Sequence, residues 1–170
     1  MRFMYEEEKK ILEQVKGIPY PEYRIMYPNF KYANMLYDDY AGKWGELSAI
    51  TQYIYEHINV KGELSHILLE IAITEMRHLD IVGDMIQKLG GKPMYISSNN
   101  IAWSSTNVEY DMKNLKEVML YNKKAEEEAI EGYRKAIQYT SNQTLKKMFE
   151  RIIQDEQSHK RIFEILYQKM

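Results

Sequence analysis

Residues 64–89 read LSHILLEIAITEMRHLDIVGDMIQKL, and residues 145–170 read LKKMFERIIQDEQSHKRIFEILYQKM. A shift of 81 positions lays Leu64 on Leu145, Ile71 on Ile152, Glu75 on Glu156, His78 on His159 and Ile81 on Ile162. Apolar residues recur at three- and four-residue steps through both stretches, the pattern of a helix with one buried stripe. The shared Glu-x-x-His falls in the middle of that stripe in each copy. A carboxylate buried there is costly unless something positive or coordinating meets it. Two such helices ask for a shared partner, and a metal pair is the natural candidate.

A second repeat lies upstream of each of these helices. Glu46, Ala49, Ile50 and Tyr53 recur 80 positions later as Glu126, Ala129, Ile130 and Tyr133, in the form E-x-x-A-I-x-x-Y. The chain is therefore two related helical hairpins, each offering one glutamate from its first helix and a Glu-x-x-His from its second. That is the inward-facing ligand set of carboxylate-bridged bundles: Glu46, Glu75, His78, Glu126, Glu156 and His159.

The rest of the sequence fits one all-α domain. With 170 residues, 45% of them apolar, the chain can bury a substantial core. Its 23 basic and 25 acidic residues are interspersed, for a net charge of −2, so neither nucleic acid nor an anionic membrane is an expected partner. The opening MRFMYEEEKK carries charge where a signal peptide needs an apolar run, and no stretch is long and apolar enough to span a bilayer; a cytoplasmic location is expected. There is no cysteine, which leaves carboxylate and imidazole to hold any metal.

Residues 1–42 are expected to form a short helix and then an extended arm, since Pro19, Pro21 and Pro28 interrupt them, with a short helix near 29–39 leading into the 42–45 turn. Residues 43–170 are expected to form a four-helix bundle, with helices at about 43–58, 63–89, 111–139 and 143–169. The second should stop at Gly90-Gly91-Lys92-Pro93. Short connections after the first and third helices force antiparallel neighbours. Residues 90–110 are long enough to run the length of the bundle as a single crossover, making the second and third helices parallel.

A lone Glu-x-x-His is weak evidence, and Glu63-x-x-His66 is a match expected to be structural, at the edge of the stripe near a helix start. Among three consecutive glutamates, Glu126 lies on the apolar stripe of Leu115, Met119, Asn122, Ala129 and Tyr133, and the repeat selects it independently. Glu127 and Glu131 read as a solvated face. Tyr53 and Tyr133 lie two turns beyond their glutamates, where a phenol can donate to a ligand carboxylate. Thr74 and Asp155 each precede a ligand glutamate, and Asp155 is placed to accept the His78 N–H and fix its tautomer. His57 reads as a helix-end residue, and Trp103 as packing.

These motifs resemble the ferritin-like di-metal carboxylate superfamily of bacterioferritins, rubrerythrins and manganese catalases with their spore-coat relatives. GELSAITQY is similar to the first ligand helix of bacterioferritins and manganese catalases, and TEMRHLDIVGDMI to their second. The resemblance covers residues 43–169. It implies a ferritin-like four-helix bundle holding two Fe or two Mn ions per chain, with Glu46 and Glu126 terminal and Glu75 and Glu156 bridging. In a manganese catalase-like site Glu156 would instead support the ligands from outside, and some relatives place an extra ligand near Glu128. The implied function is a di-iron or di-manganese oxidoreductase acting on hydrogen peroxide or dioxygen, in a homo-oligomer. The alternatives are a ferroxidase of the iron-storage type and a structural spore-coat-type protein with a vestigial metal site. Rubrerythrins usually carry a cysteine-ligated rubredoxin domain that this sequence lacks, so peroxidase turnover would need an external electron donor protein.

Overall fold

The computed structural model describes residues 5–170; the first four residues of the expected N-terminal segment lie outside it. Among the described residues six α-helices carry the fold: α1 (Glu6–Lys16), α2 (Phe30–Ala41), α3 (Glu46–Asn59), α4 (Glu63–Lys88), α5 (Leu115–Tyr139) and α6 (Gln143–Lys169). No strand occurs among the described residues, and no helix among them is long and apolar enough to cross a membrane.

The helix ends follow local chemistry. Asn29, Asn114 and Asn142 cap α2, α5 and α6 by accepting backbone N–H groups that have no partner inside the helix. The Asn114 cap is why α5 begins four residues later than the hydrophobic pattern suggested. At the other end of α4, Gly90 takes φ +90°, and the Gly90 and Gly91 amides fold back onto the Gln87 and Ile86 carbonyls.

The start of α3 shifts to Glu46 because residues 42–45 fold into a tight turn against the end of α2. A Cβ on Gly45 would sit 2.5 Å from the Asp38 carbonyl oxygen and 2.7 Å from that of Asp39, so space, not an unusual φ, excludes a side chain. Both obstacles are backbone. Gly45→Ala is therefore expected to cost about 1–3 kcal/mol by overpacking and to lower the melting temperature by several degrees. Gly17→Ala, whose Cβ meets nothing within 4 Å, is the control. Equal melting curves for the two variants would show that the turn yields freely.

The core falls into two apolar clusters. One gathers Leu36, Tyr40, Met85, Ile86, Tyr133, Phe149 and Ile152; the other gathers Leu12, Tyr53, Leu68, Ile71, Met119, Ile162 and Phe163. Along α4 and α5 the chain passes from the second cluster to the first, and along α6 it passes back. So α4 and α5 run parallel and α6 runs against them, as a single long crossover demands. Glu75 and His78 in α4, Glu126 in α5, and Glu156 and His159 in α6 fall between the clusters, as a polar layer dividing the core.

Residues 89–114 make the crossover along α3. Trp103 Nε1 donates to Ser48 Oγ at 3.0 Å, and the Gln52 side-chain amide donates to the Glu109 carbonyl and accepts from the Glu109 N–H. The N-terminal segment is not a loose appendage. Leu12 of α1 and Tyr32, Leu36 and Tyr40 of α2 are buried core residues, and the stretch between these helices lies against the first half of α6, where Arg151 grips the Val15 and Ile18 carbonyls.

Candidate metal centre

Glu46 opens α3 because the Gly45 turn aims the first residue of that helix inward. The other five predicted ligands come from the middle of long helices, where the apolar stripe carries them into the core. All six side chains are at most 3% exposed. They converge in two sets, Glu46, Glu75, His78 and Glu156 on one side and Glu75, Glu126, Glu156 and His159 on the other, each set with one candidate ligand atom per residue within 4.8 Å of the others. Glu75 and Glu156 belong to both, as bridging carboxylates would.

The donor atoms face inward with more acceptors than hydrogens to share. His78 Nδ1 lies 2.9 Å from Glu75, 3.2 Å from Glu156 and 3.7 Å from Glu46, yet it can carry only one proton. His159 Nδ1 lies 2.7 Å from Glu75 Oε1 and 3.1 Å from Glu156, and Glu75 Oε1 still has no partner in hydrogen-bonding geometry. Four buried carboxylates outnumber two imidazoles even if both are cationic. Two divalent ions would balance the four carboxylates with both imidazoles neutral, so the donor set fits a metal pair.

The electrostatics agree. Burial pushes the Glu46 carboxyl well above its usual range against the pull of His78, and burial with Glu75 and Glu156 does the same to Glu126. For Glu75 burial also pushes upward, but His159 and His78 outweigh it and hold that carboxyl low. Burial opposes charge on both imidazoles, and the surrounding carboxylates nevertheless hold both pKa values well above the ordinary histidine range. Protons thus neutralise the cluster when no cation competes, and a metal pair would displace them.

Two tyrosines brace the outer glutamates, each across the bundle. Tyr53 donates to Glu126 Oε1 at 2.5 Å, and Tyr133 donates to Glu46 Oε1. Each phenol serves the glutamate of the other hairpin, which the repeat did not reveal. Asp155 accepts the His78 Nε2–H at 3.1 Å, in the position its spacing suggested.

Two expectations need correction. Glu128 is exposed: two residues past Glu126 it points about 200° around the helix, so it reaches solvent and not the cluster. Thr74, the repeat partner of Asp155, does not touch a ligand; its hydroxyl donates to the Glu70 carbonyl one turn back. His57 sits at a helix end, bonded to Ser65, and Glu63 pairs with Lys9.

Sequence reasoning missed three residues. Tyr20, in the segment after α1, donates to Asp155 Oδ2 at 2.6 Å and lies 3.2 Å from His78 Nε2. Arg151 pairs with Asp155 at 2.7 Å. Glu56 is wholly buried beyond Tyr53, accepting from Gln52 at 2.8 Å and Asn122 at 2.6 Å, and burial raises its pKa to about 8 despite those two donors. Tyr20 gave no periodic signal, whereas Glu56 stands one turn past Tyr53 on the same stripe and was legible as an inward carboxylate.

A narrow gap between α3 and α5 leads to the cluster. Small residues, Ala49, Ala125 and Ala129, line it, and its cavity of about 20 Å³ has room for roughly one water. At its mouth Trp44 packs on Tyr121, with Lys43 and Lys124 over the indole at 4.9 and 5.6 Å.

The fold and this site define a ferritin-like helical bundle with a buried, doubly shared carboxylate and imidazole cluster. The model of the family described as Rubrerythrin matches residues 42–167, and the chain belongs to that family. It is 32% identical over 128 residues to the bacterioferritin of Desulfovibrio desulfuricans, an alignment that covers 70% of this chain and 66% of that protein, just under two thirds of its length. The crystal structure of that species' bacterioferritin, described by its diiron site, superposes with a TM-score of 0.65 at 26% identity over 81% of this chain and 78% of the other. A manganese catalase from Anabaena superposes with a TM-score of 0.82 at 23% identity, over 90% of this chain and 78% of that one, a likeness of fold.

Proposed function

We propose that this protein is a di-iron or di-manganese oxidoreductase that consumes hydrogen peroxide. Glu46, Glu75 and His78 would hold one ion and Glu126, Glu156 and His159 the other, with Glu75 and Glu156 shared. The observation that carries the reading is the pair of overlapping ligand sets in a buried core. A metal pair held there supplies a two-electron redox change, which both disproportionation and reduction of peroxide require. The protein's part is positional. Tyr53 and Tyr133 fix the outer carboxylates, Asp155 fixes the His78 tautomer, and the alanine-lined gap admits a molecule little larger than water. Disproportionation turns two peroxides into two waters and one dioxygen and needs no outside reductant, in keeping with a sequence without cysteine.

The bacterioferritin relative supports a second reading, a ferroxidase of the iron-storage type, which predicts a hollow shell that accumulates many irons per chain.

Elemental analysis of protein purified without a metal-affinity tag, with peroxide consumption measured on the same sample, tests both. About two iron or manganese per chain with release of oxygen is the expected result. Consumption only with an added reductant would make the protein a peroxidase served by a separate donor. A large shell filling with iron would favour storage, and no metal even after reconstitution would overturn the proposal and leave a structural role.

A further inference from the structure

We infer that the two metal positions are unequal, and that the segment after α1 makes them so: Tyr20, Asp155 and Arg151 lock His78 as a strong ligand, while His159 has no such support. The inference rests on the metal-binding reading above. Its geometry is an asymmetry within an otherwise duplicated site.

On the His78 side the outer ring nitrogen has a partner. His78 Nε2 donates to Asp155 Oδ2 at 3.1 Å, which fixes the proton that a metal-bound imidazole keeps and leaves Nδ1, facing Glu75 and Glu156, as the atom to offer to a metal. Tyr20 donates to the same Oδ2 at 2.6 Å, and Arg151 Nη1 lies 2.7 Å from Oδ1. Arg151 is itself 5% exposed, donating from Nε and Nη2 to the Val15 and Ile18 carbonyls, and its guanidinium lies 4.5 Å from the centre of the Tyr20 ring. The segment between α1 and α2 is thus bound into the support of one imidazole.

On the His159 side the same place in the repeat holds Thr74, and its hydroxyl is spent on the Glu70 carbonyl. His159 Nε2 is buried with no partner. To offer Nδ1 to a metal, His159 must carry its proton on Nε2, for which no protein group serves as acceptor. A metal-bound histidine that lacks such an acceptor loses orientation and basicity, an effect of about 10–100-fold on metal affinity. The His78 position is the tight one, filled first; the His159 position is the exchangeable one.

Calorimetric titration of the metal-free full-length protein with Mn²⁺ reads this directly. Two steps of one ion each, separated by about 10–100-fold in affinity, are expected. Tyr20→Phe and Asp155→Asn should weaken the first step by about tenfold or more and draw the two together. Thr74→Asp, at a half-buried position, should tighten the second step by supplying the missing acceptor, and it carries the test if Asp155→Asn does not fold. Two ions bound with one affinity in the wild type, or a second step unmoved by Thr74→Asp, would overturn the inequality and leave the metal centre standing. Failure to bind any ion would overturn both.

Discussion

Glu75→Gln is expected to abolish the stabilisation that metal confers on this protein, because Glu75 belongs to both ligand sets. An ion that binds only the folded state stabilises it by about 4 kcal/mol when present at a thousand times its dissociation constant, so two ions together contribute on the order of 8 kcal/mol. For a domain of this size each kcal/mol moves the melting temperature by roughly 2–4 °C. Metal-loaded wild type should therefore melt well over 10 °C above the chelated protein, and the Glu75→Gln variant should show almost none of that difference. The metal-free variant should be less stable than metal-free wild type, since both imidazoles lose the carboxylate that they hold ionised, so the quantity compared is the metal-induced gain within each protein. Glu128→Gln, at an exposed position on the same bundle, should behave as wild type. A Glu75→Gln protein that still gains the full metal stabilisation would show that this cluster is not where metal binds.

The second large effect concerns Glu56, which lies outside the metal cluster. Its carboxyl has a pKa of about 8 in the folded protein against a reference of 4.5, with burial as the main cause. Between those values the unfolded chain has released the proton and the folded chain has kept it. Stability from this group is thus fully present below pH about 4.5, declines as pH rises, and is lost once pH passes about 8. Each pH unit in that window is worth about 1.4 kcal/mol, so a few kcal/mol are at stake. Glu56→Gln removes the titration while keeping the shape. The new amide can donate to Asn122 Oδ1, a buried oxygen without a partner, if the Asn122 amide rotates. The variant should match wild type near pH 5 and exceed it by a few kcal/mol at pH 8.5 in denaturant unfolding of the metal-free protein. Parallel pH profiles for the two proteins would show that Glu56 is already ionised at neutral pH.

Four helices, their order, the long crossover and the six converging side chains were legible because each rests on local rules. Helical periodicity depends on neighbours three and four residues away, and the duplication doubles its signal, so Glu46 and Glu126 could be picked out and Glu127 set aside. Glu128 was open to the same rule, since two residues along a helix is most of the way to the opposite face. The boundaries that moved, at Glu46 and Leu115, depend on a backbone contact in one case and a cap in the other.

What the amino-acid sequence by itself determined, then, is a duplicated helical hairpin with two Glu-x-x-His motifs facing a common core. Only the tertiary structure decided how the halves serve each other. Tyr53 reaches Glu126 and Tyr133 reaches Glu46 because the hairpins pack face to face, and Tyr20 meets Asp155 from 135 residues away because Arg151 pins the backbone just before Tyr20. Such contacts have no period and no fixed spacing. They are set by the packing of one element on another, and that packing makes two halves of like sequence into a site with unlike sides.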